Sequence, residues 1–284
     1  MVGEDVFDGT RIGVWSEPSE FEVTAERMIA YAAATNDELK QHAEGILAPP
    51  VFAVVAPFTQ LAAVTMQPVP PHLMMRIVHG EHDIRQHRPI VAGDVLSSRG
   101  KVVGIHGKSS GVVVTTLLET RDAGGALVNE QYVAGFFRGG TWPHEAGQAF
   151  PAHDLDPAVR GAEPSATAVQ SLDADQTWRY AEASGDPMPI HTDDALAKQL
   201  GFPGIIVHGL CTMAFTSRAV IAHACPEAPA RLRRLAVRFS AVGRPGQTVT
   251  TRIWDTGVGT VAFESTNDEG SVLIKDGLAE IEPP

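Results

Sequence analysis

The chain repeats itself. Tyr31-Ala-Ala-Ala-Thr-Asn-Asp37 aligns without a gap on Tyr180-Ala-Glu-Ala-Ser-Gly-Asp186, and the match runs on for five residues to His42 and His191. Gly45-Ile-Leu-Ala-Pro-Pro50 then falls on Gly204-Ile-Ile-Val-His-Gly209. Further along, Ile84-Arg85 falls on Val237-Arg238, and Gly93 on Gly246. Each match is short, but the offsets of 149, 159 and 153 residues come in order. Such a series is the mark of an old duplication with later insertions and deletions. It constrains the fold more than any other feature, because the layout of one half must recur in the other. The boundaries read as 1–142 for the first repeat, 143–163 for a connecting segment and 164–284 for the second repeat. Pro, Gly, Ala and scattered charge dominate the connecting segment, and no period persists there.

Both halves show the same coarse order. Thr24 to Ala34 and Asp173 to Ala183 read as helices, and Asp173 with Gln176 resembles a capping box. A longer apolar helix is expected next in each half, over Val51 to Met66 and Leu210 to Ala224. Both runs are apolar on all sides, the pattern of a helix buried nearly all round. Strands follow: Lys101 to Ile105, Gly111 to Thr120 and Ala126 to Phe137, then Leu235 to Phe239, Thr248 to Trp254, Thr260 to Ser265 and Ser271 to Glu280. Asp122-Ala-Gly-Gly125 and Asn267-Asp-Glu-Gly270 read as hairpin turns. A buried helix followed by antiparallel strands predicts an α+β architecture, with a sheet wrapped around the helix.

The chemistry concentrates in "SGDPMPIHTDDALAKQLGFPGIIVHG", residues 184–209. Asp186 and His191 stand on a proline-stiffened loop. A short helix-like run separates them from Gly204-Ile-Ile-Val-His-Gly209. A lone Asp before a helix is ordinarily a cap, and a lone His beside a core is ordinarily structural. The two together, with a glycine turn behind them, suit a proton-transfer site.

Tyr180, Ala181, Ser184, Gly185, Asp186, Pro189, Ile190, His191, His208 and Gly209 resemble the motif of the MaoC-like (R)-specific enoyl-CoA hydratases and 3-hydroxyacyl-thioester dehydratases. The whole length is similar to their double hot-dog form, in which the first repeat is a degenerate copy. The resemblance implies two tandem repeats, each with an antiparallel sheet wrapped around a long central helix. It implies reversible hydration of a trans-2-enoyl-CoA to a (3R)-hydroxyacyl-CoA in lipid metabolism. Asp186 and His191 would be the acid/base pair and the Gly209 N–H the oxyanion donor. Met188, Pro189, Val207 and His208 would border the substrate. The family carries Asn where Met188 stands, and Met cannot hold a water or a loop carbonyl as an amide does. No metal or redox cofactor is expected, since a CoA or carrier thioester is itself the substrate, and a homodimer is expected. Two other classes stay open: a noncatalytic acyl-thioester-binding subunit and a thioesterase. A thioesterase would want a carboxylate on the long helix, and Leu210 to Ala224 contains none.

Other features bound the reading. A net charge of −12 argues against a general nucleic-acid binder. No apolar run approaches the ~20 residues of a membrane span. Met1 to Asp5 lacks a signal-peptide pattern, and Cys211 and Cys225, the only cysteines, form no CxxC, so a cytoplasmic setting is expected. Arg231, Arg233 and Arg234 form the densest basic run. They are either a solvated loop before a strand or a contact for CoA phosphates. His79, His82 and His87 cluster, but without a recognised metal-ligand spacing. A bulky or long acyl group is expected, lined by Val51 to Met66 and by Met74-Met75. In the first repeat, Pro49-Pro50 replaces His208-Gly209, and proline has no N–H to donate. Only the second repeat is therefore expected to be catalytic.

Overall fold

β-Branched and aromatic stretches become long strands here because such side chains pack well on a pleated surface. In the computed structural model, which describes residues 6–283, they build an eleven-stranded antiparallel sheet. Met1–Asp5, read above for a targeting signal, lies outside the described residues. The first repeat supplies β1 (Ser19–Glu22), β2 (Ile77–Gln86), β3 (Val95–Lys108), β4 (Gly111–Asp122) and β5 (Leu127–Arg138). The connecting segment adds β6 (Glu145–Gly147), which pairs with β3. The second repeat supplies β7 (Ala166–Ser171), β8 (Leu232–Phe239), β9 (Thr248–Gly257), β10 (Thr260–Asn267) and β11 (Val272–Ile281).

The strand order is β1-β3-β4-β5-β2-β8-β11-β10-β9-β7. Counted outward from the middle, the two halves run through equivalent strands in the same order. They meet at β2 and β8, where Asp83 faces Ala236. Those two positions are themselves 153 residues apart, so an internal two-fold axis passes through the pair. Tyr31 and Tyr180, also repeat equivalents, meet on the same axis with their hydroxyls 3.1 Å apart. The double hot-dog architecture is thus one continuous sheet carrying its duplication as symmetry.

The helices are α1 (Ala25–Ala34), α2 (Lys40–Ala43), α3 (Phe58–Thr65), α4 (Pro157–Arg160), α5 (Gln176–Ser184), α6 (Asp194–Gln199) and α7 (Gly209–Ala224). Thr24 caps α1 by accepting from Arg27 N. At α5 only half of the expected capping box forms: Gln176 accepts from Asp173 N, while the Asp173 carboxylate turns to Asn36 and Arg179. α7 is buried from Leu210 through Ser217 and again at Ala219 to Ile221, and the sheet wraps it. The matching helix expected over Val51 to Met66 is broken. Pro50–Val54 is a 3-10 turn, and α3 begins only after Pro57. Prolines at 49, 50 and 57 cannot donate to the ladder and punctuate the run.

Val51, Phe52, Ala53 and Val54 fill the main core beside Tyr31, Tyr180, Met213 and Phe215. Farther along the same run, Phe58 and Leu61 are only partly buried and Ala62 and Ala63 are exposed. A smaller core joins Val64, Leu73, Val102, Val114 and Phe137, with Met74 packed on it, while Met75 is 74 % exposed. No helix among the described residues is long and apolar enough to cross a membrane.

Candidate active site

Asp186 follows the end of α5. Gly185 takes a left-handed conformation (φ 77°) that turns the chain off the helix. Asp186 N then donates to Ser184 Oγ, and Asp186 Oδ1 accepts from Met188 N at 3.0 Å. Pro189 opens the 3-10 turn Pro189–His191, and His191 N donates back to Met188 O. This local geometry puts both functional side chains on one side of the loop.

His191 is held by its own Nδ1–H, which donates to the Ile206 carbonyl at 2.8 Å. That bond fixes the tautomer and leaves Nε2 as an open acceptor. The side-chain ligand atoms of Asp186, His191 and His208 all lie within 4.8 Å of one another, yet Asp186 and His191 form no direct hydrogen bond. Burial raises the Asp186 carboxyl above its ordinary 3.8, against the pull of the Met188 N–H and of His191. Burial lowers the His191 imidazole below 6.5, against the Ile206 bond and Asp186. The two affinities move toward each other, as suits a pair that takes and returns a proton.

His208 lies flat on His191, with ring centroids 3.6 Å apart and 24° between planes. Its other neighbour is Tyr180, tilted at 4.9 Å. His208 is 2 % exposed, and neither ring nitrogen makes a hydrogen bond. Burial, with the like charge of His191, pushes its pKa down to about 3, so this ring stays neutral.

Gly209 is the first residue of α7, not part of the preceding turn. Its N–H belongs to the free first turn of the helix, where the dipole favours negative charge. A Cβ at this position would come within 3.2 Å of the Phe239 ring, so any larger residue would press on that ring. Phe239 was not singled out in the sequence. Neither was the role of Tyr180, whose hydroxyl pairs with Tyr31.

The remaining candidates scatter. Met188 is 44 % exposed at the loop surface. Val207 is core, with its N–H on the Gly243 carbonyl. Arg231 bonds the Glu282 carbonyl, Arg233 pairs with the Glu282 carboxylate, and Arg234 grips Asp83 and Glu280. Arg233 and Arg234 lie on β8, not in a loop, five or six residues from Phe239. At 3.3 Å per residue they stand roughly 17–20 Å from the Gly209 end of the site. His79 and His82 hydrogen-bond each other at 3.2 Å, His82 goes on to Gln131, and His87 meets Glu130 instead. His79 also packs on Phe239 at 4.8 Å, which brings the first repeat to the edge of the site.

Residues 157–276 match the MaoC like domain, and residues 21–139 match the MFE-2 hydratase 2 N-terminal domain. The chain is 31% identical to the 3-hydroxyacyl-thioester dehydratase Y of Mycobacterium tuberculosis, over 96% of this chain and 98% of that protein. It is 30% identical to the probable enoyl-CoA hydratase 2 of Dictyostelium discoideum, over 74% of this chain and 71% of that one. A MaoC-like dehydratase from Phytophthora capsici superposes with a TM-score of 0.84 at 28% identity, covering 95% and 96% of the two chains.

Proposed function

The chain belongs to the MaoC-like hydratase and dehydratase family, and from that premise we propose that Asp186, His191 and the Gly209 N–H carry its reaction. The enzyme is a carbon–oxygen lyase that adds water reversibly to a trans-2-enoyl-CoA, giving the (3R)-hydroxyacyl-CoA. The observation that carries the site assignment is the open spacing of the Asp–His pair: the two side chains approach without bonding, which suits one water held between them.

In hydration, His191 Nε2 accepts a proton from that water while Asp186 holds its second hydrogen. The water oxygen bonds to C3, and the C2–C3 π electrons move toward the thioester oxygen. The Gly209 N–H, reinforced by the α7 dipole, steadies the charge there. The imidazolium then returns its proton to C2, and the pair is restored. Dehydration runs the same steps backward. His208 keeps the His191 ring in place, and Pro189 fixes the loop.

This reading takes the substrate as a long or bulky acyl thioester and the enzyme as a cytoplasmic homodimer needing no metal or redox cofactor. The buried thiols of Cys211 and Cys225 suit a reducing compartment. The test is loss of enoyl-thioester absorbance on a series of chain lengths, with free thiol measured in parallel. Turnover without thiol release supports hydration. Thiol release instead marks a thioesterase, and a specificity constant that peaks at four carbons removes the long-chain reading.

A further inference from the structure

A chain of buried polar groups crosses the first repeat toward the site in the second. It begins at the 3-10 turn Pro50–Val54, where Gln131 Nε2 donates to the Ala53 carbonyl at 2.7 Å and to Asn129 Oδ1 at 2.9 Å. Gln131 Oε1 is left to accept, and it takes His82 Nε2–H at 3.0 Å. Burial lowers the His82 imidazole to about 4, so the ring carries one proton and its Nδ1 is a bare acceptor. His79 Nε2–H donates to that atom at 3.2 Å. Gln131, Asn129 and His82 are buried, and His79 is half-buried.

Apolar side chains would fill this part of the core as well, and without the cost of finding each polar group a partner. What the bonds add is direction. Hydrogen bonds in series hold the His79 ring in one orientation, as packing alone does not. That orientation sets the ring on Phe239, with centroids 4.8 Å apart and 59° between planes. Phe239 in turn lies against the start of α7: a Cβ on Gly209 would stand 3.2 Å from two of its ring atoms. The contact therefore runs from the first repeat, through one aromatic ring, to Gly209.

A backbone N–H stabilises an oxyanion only if it is aimed at the oxygen before the charge develops. Glycine has the freest backbone of any residue and no side chain to anchor it. Two residues earlier, Val207 N–H is held by the Gly243 carbonyl. At Gly209 itself, Phe239 supplies the support. We propose that His79 is a positioning residue for the reaction: its ring, held by His82, backs Phe239 against Gly209 and keeps the Gly209 N–H aimed at the thioester oxygen. The inference rests on that N–H being the oxyanion donor. It gives the first repeat a part in a reaction whose acid, base and donor all lie in the second.

The experiment measures kcat and KM for hydration of one enoyl-CoA by the full chain. His79→Ala should lower kcat about tenfold, part of the ~10²–10³ that one oxyanion donor supplies. KM should stay within about twofold, because the interaction lost is made only in the transition state. In a Gly209→Ala background, where the donor is already displaced, the same substitution should cost less than about twofold, since residues that act through one group are not additive. Phe239→Leu leaves His79 no ring to press on, so it too should lower kcat at unchanged KM, and it carries the test if His79→Ala does not fold. Equal costs of His79→Ala in the two backgrounds overturn the inference. A rise in KM at unchanged kcat overturns it as well, because it would set these rings against the substrate instead. Full turnover in Gly209→Ala removes the oxyanion reading together with the inference. A slow Gly209→Ala beside an unaffected His79→Ala removes the role of His79 alone.

Discussion

Two Asp–His pairs share a sequence spacing but not a geometry: Asp37 bonds His42 directly, and Asp186 stands off from His191. The open pair has room for the reacting water, so Asp186→Asn and His191→Ala should each lower turnover ~10²–10⁴, the usual reach of a general acid or base. His42→Ala should leave turnover within about threefold, under 1 kcal/mol of barrier. Equal losses from His42→Ala and His191→Ala, measured as kcat on one enoyl-CoA, would contradict the assignment. The pH profile follows from the same residues. The active form has neutral His191, whose pKa burial lowers from 6.5, so the acid limb of kcat/KM should fall below pH 6.5. Activity is kept above that limb and lost as the pair takes up a proton; a limb above neutrality would refute it. His208 acts by its ring face and not its nitrogens. His208→Phe should therefore keep kcat within about threefold, whereas His208→Ala should lose more than tenfold at unchanged KM. A phenylalanine variant as inactive as the alanine would mean that a His208 nitrogen takes part.

At the scale of elements, α7 is the part that the first repeat lacks in intact form. Its first turn presents the Gly209 N–H, and its buried length anchors that end against the sheet. In the first repeat the chain at the matching place is a proline-led 3-10 turn, and α3 starts too late to aim a free N–H at its Asp–His pair. Gly209→Ala would set a methyl 3.2 Å from two Phe239 ring atoms. It should shift the start of α7 and cut turnover by up to ~10²–10³, the loss of one oxyanion donor. Adding Phe239→Leu should restore part of the rate by making room. If the double variant is no faster than Gly209→Ala, the ring is not what demands glycine.

Across the whole molecule the seam between repeats is polar and closely paired. Asp83, with a fully buried side chain, takes Arg234 from the other repeat and Arg85 from its own strand. Arg234→Ala should cost about 3 kcal/mol, at the low end for stranding a buried charge because Arg85 remains. Denaturant melts would measure it. The connecting segment is pinned at the same seam: His153 reaches Glu81 on β2 and the Asp276 carbonyl on β11, and Arg160 pairs with Glu264 and Asp276. Burial alone would lower the His153 pKa, but the bonds to Glu81 and the Asp276 carbonyl outweigh it and raise the value above 6.5. The folded state therefore holds this proton more tightly than the unfolded chain. Its stabilisation is complete below pH 6.5 and is lost as pH rises through the raised value. Melting temperature should decline across that window, and His153→Gln should flatten the decline.

The sequence by itself determined the duplication, the α+β class, the Asp186–His191 loop and most strands. Each of these is written in local signals: a repeat register, a proline-spaced Asp–His pair, runs of β-branched residues. The same locality exposed Pro50 as a missing donor. What the tertiary structure decided lies in contacts between distant residues. Phe239, thirty residues from Gly209, lies against that glycine, and Tyr31 reaches Tyr180 only through the two-fold axis. The arginines at 231, 233 and 234 read as free charge along the chain, yet strand pairing delivers partners for Arg234 from β2 and for all three from the strand and tail after residue 271. Periodicity could not reveal that Val51 to Met66 breaks, because apolar residues suit a buried turn and a buried helix equally. Proline and packing settle which one forms.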